Sequence, residues 1–209
     1  MAASSPWPTI HQERAALLAD LEGLPQDQWL TPSLCIGWNV QQVLGHLTAS
    51  ASMTPLGFFG KMIAAGFNFT KMANKDVAAN ASGTPAETMR RFRAKLNSST
   101  SPPGPVDSWL GEAVIHAEDI RQPLGIKHAY PIDAVVRVAN FYKGSNLIVG
   151  AKKRIDGLTL KASDSDFTTG TGPEVVGPTL LLVMAMTGRP YATAELAGPG
   201  VSTLAGRMT

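Results

Sequence analysis

The sequence predicts a mostly α-helical α+β protein, a helical bundle followed by a small mixed unit. Four segments in about the first 125 residues carry apolar residues at helical spacing between recognisable start and stop signals. Further on, Gly157–Ser163 alternates apolar and polar residues, the period of a strand. Neither an internal repeat nor a low-complexity tract interrupts the 209 residues. The expected division is 1–128 for the bundle and 129–209 for the α+β unit.

Each element has its own local reason. Pro6 and Pro8 lead into a helix whose Ile10, Leu17, Leu21 and Leu24 form one stripe, ended by Gly23 and Pro25. Trp29 to Trp38, with Pro32, Ser33 and Gly37, reads as an ordered loop. Asn39 is placed to cap a second helix, and Gln42 can complete a capping box. Val43, Leu44 and Leu47 continue that helix until Pro55 bends or divides it. Phe58 to Phe69, apolar and glycine-rich around Lys61, reads as helical or loosely packed, and Ala78 to Gly83 as a linker. Thr84-Pro-Ala-Glu87 is the strongest local signal, an N-cap, a first-turn proline and a capping-box glutamate in sequence. Met89, Phe92 and Leu96 give that helix one apolar face, and Ser98 to Pro105 is a loop. A fourth helix starts at Asp107 or Ser108, runs from Trp109 to about Gln122, and stops at Pro123 and Gly125. These four suggest an up-and-down bundle. Pro131 to Tyr142 reads as a fifth amphipathic helix, Phe167–Thr169 and Glu174–Val176 as short strands, and Pro178–Thr187 as an apolar helix that Gly188 terminates.

Composition narrows the function. Apolar residues at 44% and charged residues at 16% allow a packed core. A net charge of +2 is too small an excess to argue for nucleic acid or an anionic membrane. The single Cys35 excludes an intrachain disulfide and a cysteine-rich zinc site. No basic region followed by an apolar stretch opens the chain, and the longest apolar run, near Leu180 to Met186, is far shorter than the roughly 20 residues of a membrane span. The expectation is a cytoplasmic protein acting on a small molecule, with neither nucleic acid nor membrane as partner.

Glu112 and His116 lie four apart on the fourth helix and share a face with Trp109 and Asp119. An i, i+4 carboxylate and imidazole can bind one divalent ion, or can simply be a solvated pair. A third ligand must come from another helix, and His46 sits mid-helix among Val43, Leu44 and Leu47, where a core histidine is the alternative. Two histidines and one carboxylate leave a position open for substrate, a catalytic pattern. Asp119, one turn after His116, can orient an imidazole, or pair at the surface with Arg121 or Lys127. His11 and His128 are expected at the surface, Cys35 packed beside Trp38 with neither base nor positive charge nearby, and Lys152-Lys-Arg154 in a solvated turn.

Trp29-x3-Ser33-Leu-Cys-Ile-Gly-Trp38-Asn-Val-x2-Val-Leu-Gly-His46-Leu resembles the metal-binding domain of the mycothiol-dependent maleylpyruvate isomerase family, within the DinB-like four-helix-bundle superfamily. Trp109-x2-Glu112-x3-His116-x2-Asp119 is similar to that family's second metal motif. Arg121-Gln-Pro-Leu-Gly125, Gly172-Pro-Glu-Val-Val-Gly-Pro and Thr187-Gly-Arg-Pro resemble the carboxy-terminal part of actinobacterial members. Ile36 and Asn39 depart from the family's usual proline and Thr or Ser, and the carboxy-terminal unit is shorter. The resemblance implies zinc held by His46, Glu112 and His116, mycothiol as thiol cofactor, and isomerisation or thiol transfer on an electrophilic small molecule. It implies for Arg189 the role of an arginine that helps bind an acidic substrate. A non-catalytic, metal-stabilised ligand-binding protein is the alternative function.

Overall fold

Helix-forming spacing is realised first where capping chemistry is local. In the computed structural model, which describes residues 4–147 and 149–208, α1 (Trp7–Asp20) buries Ile10, Leu17 and Leu18. The box predicted at Asn39 opens α2 (Val40–Ser50): the Asn39 side chain accepts from the Gln42 N–H, and Gln42 returns the bond to the Asn39 N–H. Pro55 divides rather than bends, beginning a new helix, α3 (Pro55–Ala64), under a Thr54 cap. The second predicted box opens α5 (Pro85–Arg93), and α6 (Val106–Arg121) passes into a 3-10 turn at Gln122–Leu124 that Gly125 closes at φ +69°.

Between α3 and α5 the structure corrects the sequence reading. Phe69–Asn80 forms a helix, α4, so residues 78–80 are its last turn and not a linker. Only Met72, Ala73 and Val77 of α4 are buried, which is why its sequence carries so little periodicity.

The chain divides into two compact units, one up to Ala129 and one from Tyr130 onward. In the first, α1, α6, α2 and α5 pack successively, and α5 returns to α1, closing a ring of four helices; α4 lies against α2 and α3 against α4. The core of this unit holds Ile10, Leu17, Leu21, Leu44, Phe92, Leu110 and Ile120, none more than 1% exposed. Each such side chain contributes about 1.5–3 kcal/mol by leaving water. Gly45 matters to this packing, because a Cβ there would stand 2.9 Å from both Cβ and backbone N of Ala81. Lacking one, α2 approaches the end of α4 closely.

The second unit begins with α7 (Ile132–Tyr142) and a short α8 (Ala151–Arg154). The basic triplet thus lies in a helix, where Arg154 donates to the carbonyls of Val149 and Met186. Strands β1 (Thr159–Ala162), β2 (Thr168–Thr169) and β3 (Glu174–Gly177) form a sheet in the order β2-β1-β3. β1 pairs antiparallel with β2 and parallel with β3, with Leu160 opposite Val175 and both fully buried. The apolar α9 (Thr179–Met186) is capped from a distance: Asp164 Oδ1 accepts from the Thr179 N–H at 2.8 Å. The short α10 (Val201–Ala205) follows. Among the described residues, no helix is long and apolar enough to cross a membrane.

Candidate functional site

The helical repeat puts His46 and Ser50 one turn apart on α2, and Glu112 and His116 one turn apart on α6. The two faces meet rung on rung. The His46 and His116 rings stand edge to face with centroids 4.9 Å apart, and the Ser50 hydroxyl lies close enough to the Glu112 carboxyl to lower its pKa. Since 46 pairs with 116 and 50 with 112, the helices run antiparallel here. His46, Glu112 and His116 thus lie along one interhelical face, but among the described residues these three are not a set whose donor atoms all come within 4.8 Å of one another.

The nitrogens of His116 are differentiated. Nδ1 lies 2.8 Å from Asp119 Oδ2 and 3.4 Å from Cys35 Sγ. Asp119 is fully buried and also receives the Cys35 thiol at 2.9 Å. The surface pairing of Asp119 with Arg121 or Lys127 is therefore not what the fold builds. Cys35, expected to have no base nearby, has one. Its loop is pinned by the Leu34 N–H on the Asp119 carbonyl and by the Ser33 hydroxyl, which donates to the Trp38 carbonyl and receives the Cys35 N–H. Among the described residues, Cys35, His116 and Asp119 bring donor atoms within 4.8 Å of one another. Nδ1 is thus the nitrogen that Asp119 and Cys35 engage, and Nε2 is the other ring nitrogen.

His46 has a different environment. Trp38 packs on it at 5.1 Å between centroids, with its indole N–H donated to Asn74 of α4. Burial, and then the neighbouring His116, drive the His46 pKa down to about 3, and Asp119 offsets this only in part. His46 is thus a neutral imidazole, and no hydrogen bond from the described residues engages it. For His116, burial opposes the charge, but the Cys35 sulfur and the Asp119 carboxylate outweigh it and hold the proton up to about 10. Burial raises the Glu112 carboxyl, against the pull of His116, the Ser50 hydroxyl and Arg14.

Several participants escaped the sequence reading. Ser50 was findable at i+4 from His46. Arg14 stands inside the apolar stripe of α1 between Ile10 and Leu17, a charged residue where the pattern asks for an apolar one. Cys35 and Trp38 come from a loop, where no period places a side chain. His11 and His128 are part-buried rather than at the surface: His11 bonds the Ser98 carbonyl and stacks on Trp7, and His128 meets the buried Glu13 at 2.8 Å. Arg189 belongs to the second unit, where it is half-buried and donates to the Thr187 carbonyl at 2.8 Å.

Fold and site together define a helical-bundle protein with a histidine and carboxylate face between two antiparallel helices, joined to a small α+β unit. Residues 10–101 match the family described as the mycothiol maleylpyruvate isomerase N-terminal domain. The crystal structure of the mycothiol-dependent maleylpyruvate isomerase has the same fold, with a TM-score of 0.61 at 14% identity over 92% of this chain and 91% of that one. A histidine-to-alanine mutant of that enzyme superposes with the same score at 15% identity and equal coverage. The family match supports the resemblance read from the first motif, and the two solved structures support the expected fold. No curated protein shows significant sequence similarity to the chain.

Proposed function

We propose that this protein is a metal-dependent enzyme that uses a small thiol, mycothiol, to isomerise an electrophilic small molecule or to transfer the thiol to it. One observation carries the reading: His46, Glu112 and His116 share one interhelical face, and Asp119 engages only the Nδ1 edge of His116. The donor types suit a divalent ion, zinc among them, although His46, Glu112 and His116 would have to draw closer to share it. His46 is neutral and has an unused lone pair, and a buried carboxylate held away from its ordinary range is one that a cation would relieve.

His46, Glu112 and His116 would hold the ion. Bound there, it would supply the positive charge that favours a thiolate over a thiol, the nucleophile required for addition to an electrophilic double bond. Asp119 engages the Nδ1 edge of His116 and so holds the ring in one orientation. Ser50 restrains the Glu112 carboxylate, and Trp38, anchored on Asn74, shields His46 from water. The names of the family and of the solved structures motivate the thiol and a carboxylate-bearing substrate, and the second unit, with Arg189, is read as contributing to substrate binding.

Metal analysis of protein purified without a polyhistidine tag should give close to one ion per chain, and His116→Ala should abolish it. A full equivalent retained in that variant removes His116 from the ligand set. Mycothiol should bind only the metal-loaded protein; ligand binding indifferent to thiol and metal would instead describe the non-catalytic binding protein.

A further inference from the structure

Helix α3 turns its apolar side away from the bundle. Leu56, Phe59 and Ile63 recur at i, i+3 and i+7, which makes them one stripe, and they are 83%, 55% and 64% exposed. The helical repeat puts Lys61 on the opposite side, where it is ion-paired with Asp76 of α4 at 2.5 Å. The stripe continues beyond the helix. Gly66 and Phe67 both take left-handed backbone, at φ +66° and +59°, and Phe67 is 75% exposed. That conformation is unfavourable for a bulky aromatic residue, yet here it presents the ring to solvent. Phe69 is exposed where α4 begins. Of the nine large apolar residues exposed among the described ones, five fall within residues 56–69. Single exposed apolar residues are ordinary, whereas a cluster of this kind marks a surface that a partner covers.

Charge identifies the partner. Residues 55–75 contain Lys61, Lys71 and Lys75 and no carboxylate side chain. Asp76 neutralises Lys61, but Lys71 and Lys75, exposed and one turn apart on α4, have no ion-pair partner among the described residues. Two copies meeting through this hairpin would bring like charges together, which opposes self-association. A protein partner would need a groove shaped to the projecting rings, and a bilayer needs none. Aliphatic and aromatic side chains that enter the acyl boundary, with lysines long enough to reach anionic headgroups around them, are the composition of an interfacial helix. Ten residues are too few to span a bilayer, so α3 would lie on it. The expectation of no membrane partner rested on the whole-chain charge of +2, which hides this local excess.

We propose that the hairpin of α3 and α4 docks this protein on an anionic lipid bilayer, with Leu56, Phe59, Ile63 and Phe67 entering the acyl boundary and Lys71 and Lys75 meeting the headgroups. The proposal concerns a surface and is independent of the metal and thiol reading above.

The probe is co-sedimentation of the full chain with phosphatidylcholine vesicles, with and without phosphatidylglycerol. The wild-type chain should bind the anionic vesicles about tenfold or more tightly than the neutral ones, and added salt should release it. Phe67→Gly removes the ring and suits the positive φ, so it should weaken binding about tenfold while the melting temperature does not fall. Lys71→Glu combined with Lys75→Glu should abolish the preference for anionic lipid. Circular dichroism reports whether each variant folds, and if the double variant does not, Phe67→Gly decides. Absence of wild-type binding, or equal binding by a folded Phe67→Gly variant, overturns the proposal. So does a concentration-dependent dimer that Ile63→Asn disrupts, which would assign the stripe to a second copy of the chain.

Discussion

Cys35 and Asp119, 84 residues apart, share a hydrogen bond of 2.9 Å, and the oxygen that receives it is the one facing His116 Nδ1. One carboxylate oxygen thus serves a thiol and an imidazole at once. In a fully buried position this arrangement restricts the imidazole more tightly than either contact alone.

Asp119→Asn should therefore weaken metal binding while leaving all three ligands in place. The amide lacks the charge that favours a polarised His116 ring, and losses of about 10–100-fold are typical when the partner of a ligating histidine is removed. Competition against a chromophoric chelator measures it. Cys35→Ser, which keeps a donor to Asp119, should shift the same affinity much less; a loss as large as that of the Asn variant would place Cys35 among the ligands.

Gly45→Ala should destabilise the first unit by roughly 1–3 kcal/mol, because the obstructing atoms include the Ala81 backbone and cannot rotate away. Urea unfolding checks this. An unaltered midpoint would show that α2 and α4 can separate without cost.

Asn39→Ala removes the side-chain acceptor that closes the first turn of α2 and should cost about 0.5–2 kcal/mol. Metal content should stay near that of the wild type, since His46 lies two turns further on. The two readouts, melting temperature and bound metal, should separate.

Glu87 gives a pH-dependent test remote from the site. Hydrogen bonds from the Thr84 N–H and hydroxyl hold its carboxyl below the ordinary glutamate value of 4.5. A depressed carboxyl contributes stability that is present above the unfolded value and is lost as pH falls through the folded one. Glu87→Gln keeps an acceptor for the box but not the charge. The stability gap between wild type and variant should be constant near neutrality and should close as the pH drops below about 4.5. A gap that persists in acid would assign the effect to shape and not to charge.

What was legible in the sequence was what is local. The boxes at Asn39 and Thr84 are decided within four residues, and both form as read. Glu112, His116 and His46 could be singled out as candidates because of helical spacing and the scarcity of histidine. Helix α4 was missed because it buries only three small or flexible side chains, and Asn68, its cap, has the composition of a loop. Cys35 was misjudged because its neighbours are set by the Leu34 to Asp119 backbone bond, a tertiary contact that no window of sequence contains.

Helix α3 buries none of its side chains: Leu56, Phe59 and Ile63 are all more than half exposed, and a Thr54 cap and α4 are its main supports. Such an element can detach at little cost in free energy. Its amides should be the first helical ones of this unit to exchange with deuterated solvent, and a protease should nick the chain there before it reaches any other helix. Because neither imidazole rides on that segment, cutting it would leave the His46 and His116 rungs standing, and the bundle would tolerate a break in its chain at that point.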